Sequence, residues 1–218
     1  MPTATKTRTT QQRSLDTRDS LVGAALREFA KRGFDGASTR AIAKRAGVAQ
    51  SAVPYHFSTK EALWRAAADR IFDIFRSQLD ARLAGLEGVD ESTRTRLVLI
   101  DFVRLVAKHP ELHRFMLQEG VERTARLEWL VATHVRPFLQ WFRELILGVE
   151  GFARGISIRP DHLVYMLIGA ASTPYTLAPE FELSMGEDPL SKEMVDAHAQ
   201  AVIELFFGLP EESKENGS

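Results

Sequence analysis

Gln50, Ser51, Tyr55 and His56 stand close together in the chain, and their side chains share one kind of chemistry. They can bond to base edges, sugars and phosphates, the contacts by which a protein positions itself on duplex DNA and reads its sequence. Just ahead of them, Ala46-Gly47-Val48 is a Gly-centred turn. Two helices joined by such a turn form the arrangement that lays the second helix in a major groove. Residues 39–57 fit it: Ile42 and Ala43 face inward on the first helix, and Val53 and Phe57, four apart, anchor the second. Many helical proteins carry a similar turn, so on pattern alone a DNA-reading unit and an ordinary helix pair both stay open.

Other chemistries find less support. His109 and His113 have the spacing of a helical zinc site, but Pro110 sets His109 ahead of the helix, and Glu111 is not where a metalloprotease needs it. Zero cysteines remove thiolate metal sites, disulfides and cysteine nucleophiles. The chain has no phosphate-cradling Gly loop, GxSxG elbow or repeated Glu-x-x-His pairing. We therefore expect no catalytic residue, no metal and no cofactor.

Charge points the same way as the turn. Residues 1–60 carry eleven Lys/Arg against four Asp/Glu, a net +7, and the remaining residues carry seventeen against twenty-five, a net −8. The formal total of −1 hides a basic unit joined to an acidic one. A basic unit of this kind suits a polyanion, because phosphate contacts release counterions; a merely solvated basic face would look the same. At 218 residues, 44% hydrophobic and 26% charged, the chain can bury a core of ordinary globular proportions. Its longest apolar stretch, 163–171, is about half of the roughly 18 residues that a bilayer span needs. The first fourteen residues have no apolar segment of the secretory kind, so we expect no membrane association and a cytoplasmic location.

The elements that must position these residues read as all-α. Helical periodicity predicts helices near 17–32, 38–45, 50–57 and 60–83, and then 92–108, 110–119, 123–147, 160–178 and 189–207. Ser38 is the expected cap of the second helix, and Ser58 with Glu61 the capping box of the fourth. Residues 85–90 read as a linker. The expected division is a disordered basic arm at 1–14, a helix-turn-helix domain at 15–60, a second helical domain at 61–208 and a disordered tail at 209–218.

Residues 21–63, LVGAALREFAKRGFDGASTRAIAKRAGVAQSAVPYHFSTKEAL, closely resemble the N-terminal DNA-binding domain of the tetracycline-repressor (TetR) family of bacterial transcription regulators. The likeness runs without gaps through Ala24-Ala25, Phe29, Gly33-Phe34, Ser38-Thr39, Ile42-Ala43, Ala46-Gly47-Val48, Tyr55-His56-Phe57 and Lys60-Glu61. Two departures stand out. Ala49 replaces the usual Ser or Thr cap of the recognition helix, and Pro54 inside that helix is expected to remove one ladder hydrogen bond. The resemblance implies that Thr39, Arg40, Gln50, Ser51, Tyr55, His56 and Lys60 face DNA. Thr39 and Lys60, at helix N-termini, suit phosphates; Arg40 and Gln50 have the donors for guanine and adenine edges.

The second half resembles the family only loosely, as a ligand-binding and dimerising bundle. Leu127, Val131, His134, Phe138, Trp141 and Leu145 form one helical stripe, apolar except for His134. Phe115, Met116, Trp141, Tyr165 and Met166 suit an apolar effector pocket with Asp101, Glu119 and His134 as its polar handles, although core packing explains the large side chains equally well. The resemblance implies a homodimer formed through the last two helices, with Leu163, Leu167, Ala170, Met194, Val202 and Phe206 as their apolar residues, on a pseudo-palindromic operator. It thus implies a dimeric repressor released by a small, largely apolar effector. The alternatives are a helix-turn-helix regulator without small-molecule input and a helical-bundle enzyme or metal protein.

Overall fold

A computed structural model describes residues 4–148 and 158–208, with side chains from Gln11 onward. Among these residues every regular element is helical, and no helix is long and apolar enough to cross a membrane. The expected tail at 209–218 lies outside the described residues. The chain forms two compact units, 1–76 with 111–134 and 77–110 with 135–218. Their border therefore falls three times inside the segment expected as one domain at 61–208.

The first unit contains α1 (Ala4–Gly36), α2 (Thr39–Ala46), α3 (Ala52–His56), most of α4 (Lys60–Ala84), α6 (Glu111–Gly120) and α7 (Ala125–Leu130). Leu21, Ala24, Ala25 and Phe29 recur at helical spacing and are buried, which fixes the inner face of α1. The helix begins at Ala4, far ahead of the expected start at residue 17, so the arm expected at 1–14 is helical from Ala4 onward. Extending a helix from a packed nucleus costs little. Within this extension Gln12 donates to Asp16 at 2.9 Å and the Thr17 hydroxyl to the Arg13 carbonyl at 2.8 Å.

At the far end of α1, Gly33 has φ 68° and ψ 179°, a conformation essentially reserved for glycine. The kink turns Phe34 back onto Phe29, their rings stacked at 6.0 Å. Below it, Trp64 of α4 stacks on Phe115 of α6 at 5.2 Å and meets Trp129 of α7 at 5.8 Å. The N-terminal cap of α4 is Thr59, whose Oγ1 accepts from the Ala62 amide at 3.0 Å. The expected Ser58–Glu61 box does not supply that bond, and Glu61 pairs with Arg65 at 2.7 Å instead.

The second unit is built around α5 (Glu91–Lys108), capped by Asp90, whose carboxylate accepts from the Thr93 amide at 3.0 Å. Val98, Leu99, Phe102, Val103, Leu105 and Val106 are buried, so α5 is apolar on most of its circumference. Around it lie α8 (Arg136–Leu147), α9 (Pro160–Thr176), α10 (Ala178–Met185) and α11 (Lys192–Phe207). Arg104 of α5 binds Asp196 of α11 at 2.8 and 3.0 Å. Hydrogen bonds from Lys192 and Arg104 hold the Asp196 carboxyl below its ordinary pKa. His198 of α11 donates to the Ala170 carbonyl of α9 at 2.8 Å.

Three sequence expectations change here. The helix expected at 123–147 is interrupted by a π-turn at Val131–Val135, the point where the two units divide. One extra residue in that turn rotates the following face, so Phe142 and Ile146 are buried there, while every member of the expected stripe is only half-buried. The segment expected as one helix at 160–178 ends at Thr176, and a separate α10 follows. Lastly, α11 begins after a Ser191 cap, with its Oγ accepting from the Met194 amide at 3.3 Å, and leaves Pro189 outside the helix.

Candidate nucleic-acid interface

The turn between α2 and α3 is set by backbone chemistry. Ser38 Oγ accepts from the Ala41 amide at 3.1 Å and starts α2; Gly47, left-handed at φ 70°, ends it. A tight turn then forms, the Ala49 carbonyl accepting from the Ala52 amide at 3.0 Å and the Gln50 carbonyl from the Val53 amide at 3.1 Å. No side-chain cap starts α3, in keeping with Ala49. Pro54 is the third residue of α3, in the first turn, where amides have no intrahelical partner. The expected loss of a ladder bond there does not occur. Buried Val53 and Phe57 dock α3 on the rest of the unit.

Arg40, Gln50, Ser51 and Tyr55 are exposed, Tyr55 by 78%. Arg40, Gln50 and Ser51 make no side-chain hydrogen bond or ion pair among the described residues. Thr39 is half-buried at the first position of α2, and half-buried His56 meets the Tyr55 ring edge-on at 4.9 Å. Lys60, also half-buried, has its ammonium 3.4 Å from the Asp35 carbonyl and 4.6 Å from the centre of the Phe34 ring. All seven predicted residues thus lie on α2, α3, their turn or the first residue of α4.

One residue that shapes this surface was not singled out from the sequence. Glu28 of α1 is buried and binds Arg32 at 2.7 Å and Arg45 of α2 at 3.4 Å. It therefore joins the scaffold helix to the C-terminal end of α2. Its signal was legible: Glu28 is an acid in the i+4, i+7 series that begins at Leu21, Ala24 and Ala25.

The residues expected to bind an effector are divided between the two units. Phe115, Met116, Glu119 and His134 belong to the first unit, and Asp101, Trp141, Tyr165 and Met166 to the second. Most already have protein partners. Phe115 is in the Trp64 stack; buried Glu119 accepts from Thr124 Oγ1 at 2.6 Å and pairs with Arg126 at 3.2 Å. Asp101 pairs with Arg82 at 2.5 Å and Arg104 at 3.4 Å, and Trp141 packs against Phe138 at 5.8 Å. Tyr165 and Met166 are 67% and 54% exposed. His134 is the best placed of the eight: its Nε2 lies 2.8 Å from Asp69, and its ring stacks on Phe72 at 4.8 Å and meets Trp129 at 5.4 Å. A cleft of about 460 Å³ in the second unit, lined by Arg104, Lys108, Leu190, Lys192 and Asp196, contains none of them.

Residues 21–67, which hold the whole of this surface, match the family described as bacterial regulatory proteins, tetR family. Residues 21–67 are thus a DNA-binding domain of the tetR type. The chain that carries it is a DNA-binding regulator of transcription. The HTH-type transcriptional regulator RutR of Escherichia coli strain K12 is 26% identical over 170 residues, 77% of each chain. The HTH-type transcriptional regulator CymR of Pseudomonas putida is 26% identical over 132 residues, 55% of this chain and 63% of that one. Solved structures share the fold. A TetR-family transcriptional regulator from Bordetella parapertussis 12822 superposes with a TM-score of 0.66 at 20% identity, over 87% of this chain and 93% of that one. AibR, in complex with isovaleryl coenzyme A and operator DNA, gives 0.68 at 17% identity, over 88% and 98%. These relatives and neighbours are regulators, not enzymes.

Proposed function

We propose that this protein is a cytoplasmic, homodimeric repressor of the TetR family that reads a pseudo-palindromic operator through α3 and leaves it when a small, largely apolar effector binds. The observation that carries the reading is the group of unpaired donors on one short turn and helix: Arg40, Gln50 and Ser51, with exposed Tyr55 beside them. Arg40 suits guanine and Gln50 adenine, while Thr39, Ser51, Tyr55, His56 and Lys60 suit sugar and phosphate.

A single unit of this size spans too few base pairs to select one genomic site, so two must sit about 34–36 Å apart on the duplex. Helices α9 and α11 supply the dimer face. Tyr165, Gly169 and Thr173 on α9, and Ala197, Ala201 and Leu205 on α11, each form a stripe of four-residue spacing accessible to a partner. Leu205 is 68% exposed. For the effector, the Phe72, Trp129 and His134 rings offer an apolar wall with one polar handle, the His134–Asp69 bond. A hundredfold loss of DNA affinity needs about 2.7 kcal/mol of coupling between the two sites. That Asp101 and Glu119 are already paired with arginines favours a second reading, a regulator of the same DNA without a small-molecule input.

Selection of bound sequences from a random duplex pool by the purified protein tests the reading, and yields half-site spacing with it. Arg40→Ala and Gln50→Ala should each lose about 1–3 kcal/mol of discrimination at one base position. Wild-type binding by both variants would remove the base-reading assignment. Sedimentation of the free protein as a monomer would remove the dimer.

A further inference from the structure

We infer that Arg18, on the α1 segment ahead of the family-matched residues, is a phosphate contact that seats α3 in the groove. The inference rests on α3 being the recognition helix. The Arg18 guanidinium carbon lies 5.1 Å from the centre of the Phe57 ring, and Phe57 closes α3, its amide donating to the Val53 carbonyl at 2.8 Å. The side chain of Arg18 is thus held against the C-terminal end of the helix that carries Tyr55 and His56.

Among the described residues its charge meets no carboxylate. The two acids nearest in sequence are committed elsewhere: Asp16 accepts from Gln12, and Asp19 is bound by Arg70 of α4. Arg18 itself is exposed and has no ion pair among the described residues. A guanidinium resting on an aromatic face keeps its N–H edge free, in a planar fork that fits a phosphate bidentately. Stacking also removes part of the rotamer entropy that a free arginine loses on binding. An unpaired cation with an apolar stem fixed beside a base-reading helix is therefore prepared for the phosphates flanking the groove.

Counterion release gives a readout that packing alone would not move. Wild type, Arg18→Gln and Arg18→Lys are titrated with the duplex that wild type selects from a random pool and with a mixed-sequence duplex of equal length. Salt is varied between about 50 and 200 mM, with circular dichroism normalising to folded protein. The slope of log K against log[salt] should shrink by about 0.9 per bound protomer in Arg18→Gln, equally on both duplexes, and stay at the wild-type value in Arg18→Lys. The affinity ratio between the duplexes should not change. An unchanged slope in Arg18→Gln, whatever its stability, overturns the inference and leaves Arg18 a packing residue of Phe57. Wild type that binds neither duplex overturns the reading of α3 and the inference together.

Discussion

The guanidinium of Arg126 lies 3.9 Å from the centre of the Phe34 ring. The same ring has the ammonium of Lys60 4.6 Å from its centre, so one aromatic side chain joins α7 to a residue assigned to the DNA surface. Arg126 is in turn held by Glu119, a buried carboxylate that also accepts from Thr124. Replacing Arg126 by Ala leaves that carboxylate without its cation, a change that should cost about 2–3 kcal/mol in urea denaturation. Glu119→Gln in the same background should recover part of the loss, because the stranded charge is gone. Equal stabilities for Arg126→Ala and the double variant would show that the stranded charge carries no penalty.

Gly33 makes that arrangement possible. Its backbone conformation excludes other residues, and a Cβ placed there would stand 3.0 Å from Gln118 Oε1. Gly33→Ala should therefore lose about 1–3 kcal/mol of stability from backbone strain, with a further penalty from the contact. Adding Gln118→Ala relieves only the contact. Thermal denaturation of the two variants separates the parts; full rescue by Gln118→Ala would show that the backbone was not strained.

The fold was legible where side-chain spacing and capping agree, and less so where the backbone departs from regular geometry. Spacing predicts Ile42, Ala43, Val53 and Phe57 inward, and all four are buried. The sequence predicts a turn at Gly47, and it caps α2 in the left-handed conformation. By contrast the π-turn at Val131–Val135 inserts a residue that no periodic pattern contains, so beyond it the stripe residues Trp141 and Leu145 fall one position short of the buried Phe142 and Ile146. Helical continuation through Ala4 to Ser14 has no apolar signature at all. Size and polarity, which mark the expected effector residues, cannot tell a pocket wall from a side chain already partnered, as Glu119 is.

Stability should fall on the acid side of neutrality because of His113. Burial lowers its pKa from the ordinary 6.5, so the folded protein favours the neutral imidazole. The unfolded chain then binds more protons than the native one below pH 6.5, and stability is lost as pH falls through the folded pKa. Above 6.5 both states are neutral there and the contribution is constant. Urea midpoints measured across this range should decline with acid in wild type, and decline less in His113→Gln. An imidazole titrating at or above 6.5 in the native protein, followed by NMR, would contradict the sign.

A last prediction separates two sets of apolar residues on the final helices. Periodicity and resemblance selected Leu163, Leu167, Val202 and Phe206, with Ala170 and Met194, for the dimer face. Leu163, Leu167, Val202 and Phe206 are instead buried within their own chain, while Ala170 and Met194 are half-buried. Leu167 is fully buried and Leu205, on the outer stripe of α11, is open. A carboxylate at the first position has no solvent and no partner, whereas at the second it is harmless to the monomer and is desolvated only if two copies meet there. Leu167→Glu should therefore destabilise the fold by several kcal/mol, on the order of 3–5. Leu205→Glu should keep the wild-type circular dichroism spectrum but sediment as a monomer, and lose cooperative binding to two half-sites. A Leu205→Glu protein that remains dimeric would move the interface off this face of α11.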